Sequence, residues 1–302
     1  MTRVGGLFPE VSASMAASLQ EILQSHVTGQ AVIMGILNVT PDSFSEWGRH
    51  FAPADAIAHA EAMAAEGAGI IDVGAESTRP GALRVSPDEQ IARVREVLPA
   101  VVRLGTAVSI DTTSSTVAGF ALDAGAAIVN DVSAGRDDPE MLPLAAARGC
   151  PIVLMHMLGQ PATMQDNPQY RDVVGEVREF LAGRIDAAVA AGVDRTRIII
   201  DPGIGFGKTL EHNLALLAGI ASLAELGCPI LVGVSRKRFI GQLTGTEDLS
   251  GRLPGTIAAC LAAWQRGATI FRVHDVAPLK QALAVASAIK EPGNPTIPGL
   301  KL

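Results

Sequence analysis

The sequence predicts an α/β protein, a single (β/α)8 TIM barrel with a short N-terminal extension. Three observations carry that prediction. Short apolar runs rich in Val and Ile recur about eight times in about 270 residues, with helical patterns between them, which is the arithmetic of a barrel. The runs are continuous rather than alternating, as expected of strands covered on both faces. Most of the helical patterns end in glycine just before the next run, the usual C-terminal stop.

In chain order, residues 1–30 form an extension with one helical pattern, "MAASLQEILQSH". The barrel domain, 31–290, begins with "AVIMGILNV" (31–39), followed by the helix "PADAIAHAEAMAAEGA". "GIIDVG" (69–74) leads to "SPDEQIARVREVLPAVVRLG", and "AVSID" (107–111) to "SSTVAGFALDAGA". "AAIVNDVS" (126–133) leads to "DPEMLPLAAARGC", and "PIVLMH" (151–156) to "YRDVVGEVREFLAGRIDAAVAAGV". "RIIIDPG" (197–203) leads to "LEHNLALLAGIASLAELG", and "PILVGVS" (229–235) to "LPGTIAACLAAWQRGA". "TIFRVH" (269–274) and "APLKQALAVASAIK" close the set, and the tail 291–302 reads as irregular. Gly67, Gly125, Gly149, Gly192, Gly227 and Gly267 are the expected helix stops. A doubly wound sheet is the runner-up, but the first loop here, "TPDSFSEWGRHF", is not the Gly-rich turn that fold needs.

Composition narrows the function. Hydrophobic residues make up 48% of the 302, enough for a large core, and the net charge of −7 comes with no basic stripe, so nucleic acid is not an expected partner. No apolar run reaches about 18 residues and no signal peptide is seen, so no membrane span is expected. The three cysteines, Cys150, Cys228 and Cys260, stand far apart and read as buried reduced thiols of a cytoplasmic protein.

In a barrel, chemistry sits at the C-terminal strand ends. Here those ends carry Asn38, Asp72 with Glu76, Asp111, Asn130 with Asp131, His156, Asp201, Ser235 with Arg236 and Lys237, and Arg272 with His274. A single strand-end Asp or Asn is more often a turn or cap residue than a ligand contact, but eight polar ends together are hard to assign to structure. Asp111, Asn130 and Asp201 offer the acceptors and amide that read a flat heterocycle with amino and lactam edges. Arg79, Arg236, Lys237, Arg272 and His274 would gather around an anion. A diphosphate bearing a guanine-like ring fits these residues, and so does a nucleotide. "DPGIGFGKT" (201–209) ends like a P-loop, but Pro202 stands where the motif needs glycine and has no N–H to offer a phosphate. Its glycines let backbone approach a ligand, Phe206 could wall a ring, and Lys208 is read as solvated.

The segments "MGILNVTPDSFSEWGRHF", "IDVGAESTRPGA", "SIDT", "IVNDVSAG", "VLMHMLGQPATMQ", "IIDPGIGFGKT", "LVGVSRKRFIGQLTG" and "IFRVHDV" together closely resemble the bacterial dihydropteroate synthase family, a pterin-binding TIM barrel. The resemblance implies a transferase of folate biosynthesis, joining p-aminobenzoate to 6-hydroxymethyl-7,8-dihydropterin diphosphate, with Mg2+, sulfonamide sensitivity and a homodimer. It implies that Asn38 ligates the metal and that Thr78, with Arg79 beside it, lies near the diphosphate. Asp111, Asn130, Asp201 and Lys237 would hold the pterin, and Arg272, Val273 and His274 the departing diphosphate. Ser235, Pro80, Phe206 and Lys237 would form the p-aminobenzoate pocket, and Asp111, Asp201, Lys237 and Arg272 the catalytic set. The long loops "TPDSFSEWGRHF" and "ESTRPGALRVS" would close over the substrates.

The alternatives explain fewer residues. A barrel carrying methyltetrahydrofolate would have no use for "SRKR" and "RVHD". A catalytically silent relative would have lost some of Asn38, Thr78, Asp201, Lys237 and Arg272, all present. A barrel isomerase would need an acid–base pair, for which Glu76 and His274 stand in. Otherwise Glu76 is expected to orient Arg79 or a loop amide. His156 is read as a satisfied structural histidine, with Met155 or Met157 lining the ring pocket.

Overall fold

Eight parallel strands form one sheet in the order β6-β5-β4-β3-β2-β1-β8-β7. A parallel bridge between Ile200 and Ile230 joins its two ends and nearly closes the barrel. The computed structural model describes residues 13–40, 53–77, 84–161 and 163–290. The chain runs α1 (Ala13–Thr28), β1 (Val32–Asn38), α2 (Pro53–Glu66), β2 (Ile70–Gly74), α3 (Pro87–Val94), α4 (Leu98–Val102), β3 (Ala107–Asp111) and α5 (Ser115–Asp123). It continues with β4 (Ile128–Asp131), α6 (Met141–Arg148), β5 (Ile152–Met155), α7 (Val173–Ala190), β6 (Ile198–Asp201), α8 (Leu210–Ala218) and α9 (Ile220–Ala224). It ends with β7 (Leu231–Val232), α10 (Arg238–Thr244), α11 (Leu253–Trp264), β8 (Ile270–Val273) and α12 (Val276–Lys290).

All eight expected strands are present, each inside the run that predicted it. The six glycine stops all sit at positive φ, from 57° at Gly149 to 105° at Gly267, where a side chain would be strained. Two expected helices are each broken in two. Pro99 has no N–H for the carbonyl four residues back, and the chain re-enters helix as α4 with that proline in its first turn. Gly219 separates α8 from α9. α10 has no counterpart among the expected helices, because its "RFIGQLT" is short and carries little apolar periodicity.

Strand residues sort by parity into two cores. Ile33, Ile71, Val108, Val129, Leu154, Ile200, Val232 and Phe271 face the surrounding helices. Val32, Met34, Ile70, Ile128, Val153, Ile199, Leu231 and Ile270 fill the barrel interior. The extension has a visible task here. Ile22 of α1, with Leu19 and Leu23 beside it, packs into the interior core, and Ser25 Oγ meets Thr269 Oγ1 at 2.8 Å. So α1 stoppers the N-terminal end of the barrel and leaves the other end as the mouth.

Candidate active site

One step further along each strand, the inward positions change character. After Ile70 comes Asp72, after Ile128 comes Asn130, after Ile199 comes Asp201 and after Ile270 comes Arg272. The pleat keeps every second residue on one face, so these side chains inherit the inward direction of the apolar layer below. Register sets their level: Asn38 pairs with Gly74, Gly74 with Asp111, and Asp111 with Asn130. The barrel therefore carries an apolar floor beneath a polar mouth.

Arg272 is the hub of that mouth. Its Nε donates to Asp72 Oδ2 at 2.6 Å and its Nη2 to Asp111 Oδ2 at 2.8 Å. Asn130 Nδ2 also donates to Asp72 Oδ2, at 3.1 Å, and Asp72 is fully buried. One guanidinium thus spans two carboxylates, which its planar fork permits. Burial, the largest influence, pushes Asp111 up to about 7, while Arg272 pulls it down and Asp72, Asp131 and Glu76 push it further up. Among the polar strand ends, Asp72 has no role expected from the sequence alone. Strand parity was the signal that could have placed it beside Arg272.

The loop after β6 forms one wall. Asp201 Oδ1 accepts from Gly203 N at 2.7 Å, and burial raises its pKa against the pull of that bond and of Lys237, Lys208 and Arg272. Lys237 reaches in from the end of β7. Its Nζ donates to the Ile204 carbonyl and stands 4.3 Å from the Phe206 ring centroid, a cation–π contact. Burial, then Arg272, brings Lys237 down to about 8, with Asp201 opposing. Phe206 packs against Val132, Met155, Met157 and Met164, so both methionines flanking His156 line this side.

Lys208 is not solvated as expected. It is 3% exposed, and its Nζ lies 3.0 Å from His156 Nδ1 and donates to the Phe206 carbonyl at 2.9 Å. The sequence sees a lysine on a Gly-rich loop; only the fold turns that loop back over β5. His156 is a structural histidine, as read. It is buried, packed edge-on to Phe180, and held down to about 3 by burial and then by Lys208 and Arg136, so it is a neutral lone-pair donor.

The remaining expected residues divide. Ser235 Oγ lies 2.9 Å from His274 Nδ1 and accepts from the His274 N–H at 3.2 Å, so these two share one corner. The Val273 side chain lies in the outer, helix-facing core, opposite in parity to Arg272, so the contact expected of it would be made by its backbone. Arg236 Nε and Nη2 reach Asp275 at 3.1 and 2.7 Å, so this expected anion contact is paired with a neighbouring carboxylate. Glu76 accepts from Val85 N at 3.0 Å and Gln90 Nε2 at 3.1 Å, the loop-amide role expected of it. Thr78, Arg79 and Pro80, with most of both closing loops, lie outside the described residues.

Asn38 and Asp111 face each other across Gly74. A Cβ built on Gly74 would stand 3.7 Å from Asp111 Oδ2 and 3.8 Å from Asn38 Oδ1. The glycine leaves a gap lined by hard oxygens. Mg2+ takes such oxygens, one or two from protein and the rest from water and phosphate. Among the described residues no cluster of three His, Cys, Asp or Glu could cage a metal, so these donors suit an ion that arrives with its phosphates.

The sequence pattern of the family described as "Pterin binding enzyme" matches residues 34–274, from β1 to the end of β8. The chain belongs to the pterin-binding enzyme family. Family membership is consistent with the inward acceptor set Asp111, Asn130 and Asp201. The dihydropteroate synthase of Mycobacterium leprae is 49% identical over 262 residues, which are 85% of this chain and 92% of that protein. Xanthomonas albilineans dihydropteroate synthase with 4-aminobenzoic acid superposes with a TM-score of 0.82 at 48% identity, covering 86% of this chain and 93% of that one. The same organism's enzyme in complex with 7,8-dihydropteroate gives 0.78 at 44%, covering 86% and 94%.

Proposed function

We propose that the chain is a transferase of folate biosynthesis, condensing 6-hydroxymethyl-7,8-dihydropterin diphosphate with p-aminobenzoate to give 7,8-dihydropteroate and diphosphate. The observation that carries the reading is the convergence of Asp72, Asp111, Asn130, Asp201, Lys237 and Arg272 on one barrel mouth in a member of this family.

In this reading Asp111, Asn130 and Asp201 hold the pterin by its amino and lactam edges. Arg272 and His274 face the diphosphate and neutralise its growing charge as it leaves. Thr78 and Arg79 serve the same end of the substrate. Departure leaves a carbon attached to an electron-rich ring, and the carboxylates of Asp201 and Asp111 stabilise its cationic character. The aniline nitrogen then attacks. It is already a neutral nucleophile, and the anilinium formed is acidic enough to pass its surplus proton to the released diphosphate or to water, so no strong base is required. Phe206, Lys237, Ser235 and Pro80 receive the p-aminobenzoate, with Lys237 meeting its carboxylate as a point charge. Asn38 would hold Mg2+, which when bound supplies charge neutralisation to the diphosphate oxygens.

The test is diphosphate release with and without p-aminobenzoate. Release that depends on both substrates and falls on chelation supports the reading; release indifferent to p-aminobenzoate overturns it. Three finer properties rest on the family resemblance. A sulfonamide should inhibit turnover, since "SRKRFIG" carries no insertion. Sedimentation should give a homodimer. The protein should fractionate with the cytoplasm; among the described residues no helix is long and apolar enough to cross a membrane.

A further inference from the structure

Lys208 is a buried amine that the mechanism above does not use; burial holds its pKa well below the usual lysine range, with Asp201 opposing. Around it, the loop after β6 is clamped by a side chain at every residue from Gly203 to Gly207. Gly203 N meets Asp201, Ile204 O meets Lys237, Gly205 N meets Asn213 Oδ1 at 2.7 Å and Gly205 O meets Gln165 Nε2 at 2.7 Å. Phe206 O meets Lys208 at 2.9 Å and Gly207 O meets Tyr170 Oη at 3.0 Å. The loop also lies flat on the end of β5. A Cβ on Gly203 would stand 1.9 Å from the His156 carbonyl, and one on Gly207 would stand 2.7 Å from the Leu158 carbonyl.

Lys208 ties these two surfaces together. One nitrogen bridges the Phe206 carbonyl on the loop and His156 just past β5, whose Nδ1 and carbonyl lie at 3.0 and 3.4 Å. With the imidazole neutral, its lone pair accepts an N–H from Lys208 Nζ. The residue whose carbonyl is pinned is the one whose ring faces Lys237 at 4.3 Å. A shift of the loop by an ångström would move that ring from the cation and from the methionine wall behind it.

We propose that Lys208 is a positioning residue for the acceptor pocket, fixing the Phe206 ring against Lys237 by pinning the Phe206 carbonyl to His156. The proposal rests on the reading that Phe206 and Lys237 receive p-aminobenzoate. It acts chiefly on one substrate: of the pterin contacts, Asp111 and Asn130 lie on other strands, and Asp201 is tied to Gly203, at the opposite end of the loop from the pinned Phe206 carbonyl.

Lys208→Met keeps the length of the stem and removes the donors. Its KM for p-aminobenzoate should rise about tenfold, the effect of losing one buried hydrogen bond. The KM for the pterin diphosphate and kcat should stay within about threefold. In the Phe206→Ala background the same substitution should add less than about twofold, because a residue acting through Phe206 has nothing left to position. Equal rises in both KM values, effects that multiply in the double variant, or an unchanged KM for p-aminobenzoate would each overturn the proposal. If Lys208→Met does not fold, His156→Asn is measured in its place: the same selective rise supports the assignment, and an unchanged KM for p-aminobenzoate rejects it. Wild-type turnover, measured first, tests the reaction itself, so its failure is distinct from a failure of the KM split.

Discussion

Replacing Arg272 by Lys should uncouple the mouth while leaving the barrel folded. The guanidinium reaches Asp72 and Asp111 through two different nitrogens, at 2.6 and 2.8 Å. A lysine offers one compact ammonium and satisfies one carboxylate at a time. A hydrogen bond to a charged group contributes about 1.5–3 kcal/mol, and stranding one member of a buried pair costs about 3–5 kcal/mol. Asp72 keeps Asn130 as a donor, and the Arg272 side chain is 21% exposed, so the lower range applies. A loss of about 2–3 kcal/mol should lower Tm by about 4–10 °C in a chain of this size. If the same contacts orient Arg272 toward the diphosphate, kcat/KM should fall about 30- to 150-fold. Calorimetry and p-aminobenzoate-dependent diphosphate release measure the two effects separately. A Lys variant with wild-type Tm and turnover within about threefold would show that the double bridge organises nothing.

Other predictions follow the same logic. Gly203→Ala combines a φ of 66° with a Cβ 1.9 Å from a backbone oxygen; it should cost about 2–4 kcal/mol in a denaturant melt, and wild-type stability would contradict the close approach. Lys237 titrates at about 8, so turnover should decline as pH rises through about 8 and the cation is lost, and Lys237→Arg should remove that limb from the pH profile. Asp111 is raised from 3.8 to about 7, so its contribution to stability is present at acid pH and lost as pH rises through about 7. Melts of Asp111→Asn at about pH 5 and about pH 8 should lack that part of the fall. Burial raises Cys150 to about 11 and Cys260 to about 12, and raises Cys228 too, so none of these thiols should react with a thiol reagent until the protein is denatured. A reactive native thiol among them would refute the buried placement.

The legible part of this protein was what local chemistry controls. Val- and Ile-rich runs could only be strands buried on both faces, and glycines at helix ends could only be stops, because each depends on its own backbone and neighbours. Strand-end polarity pointed to the right end of the barrel, and parity already held the directions of Asp72 and Val273, unused. What the linear chain could not hold was who meets whom across the mouth. Arg272 pairs with Asp72 over 200 positions and with Asp111 over 161, and the identity of the partner turns on register and closure. The same applies to Arg236, paired with Asp275, and to Lys208, whose surroundings are set by a loop folding back on the end of β5. Sequence by itself determined the elements, the family and the residue types at the mouth. Only the tertiary structure decided which charges are buried, which are already paired and which face the mouth, because desolvation and Coulomb attraction depend on distances that exist only once the barrel has closed.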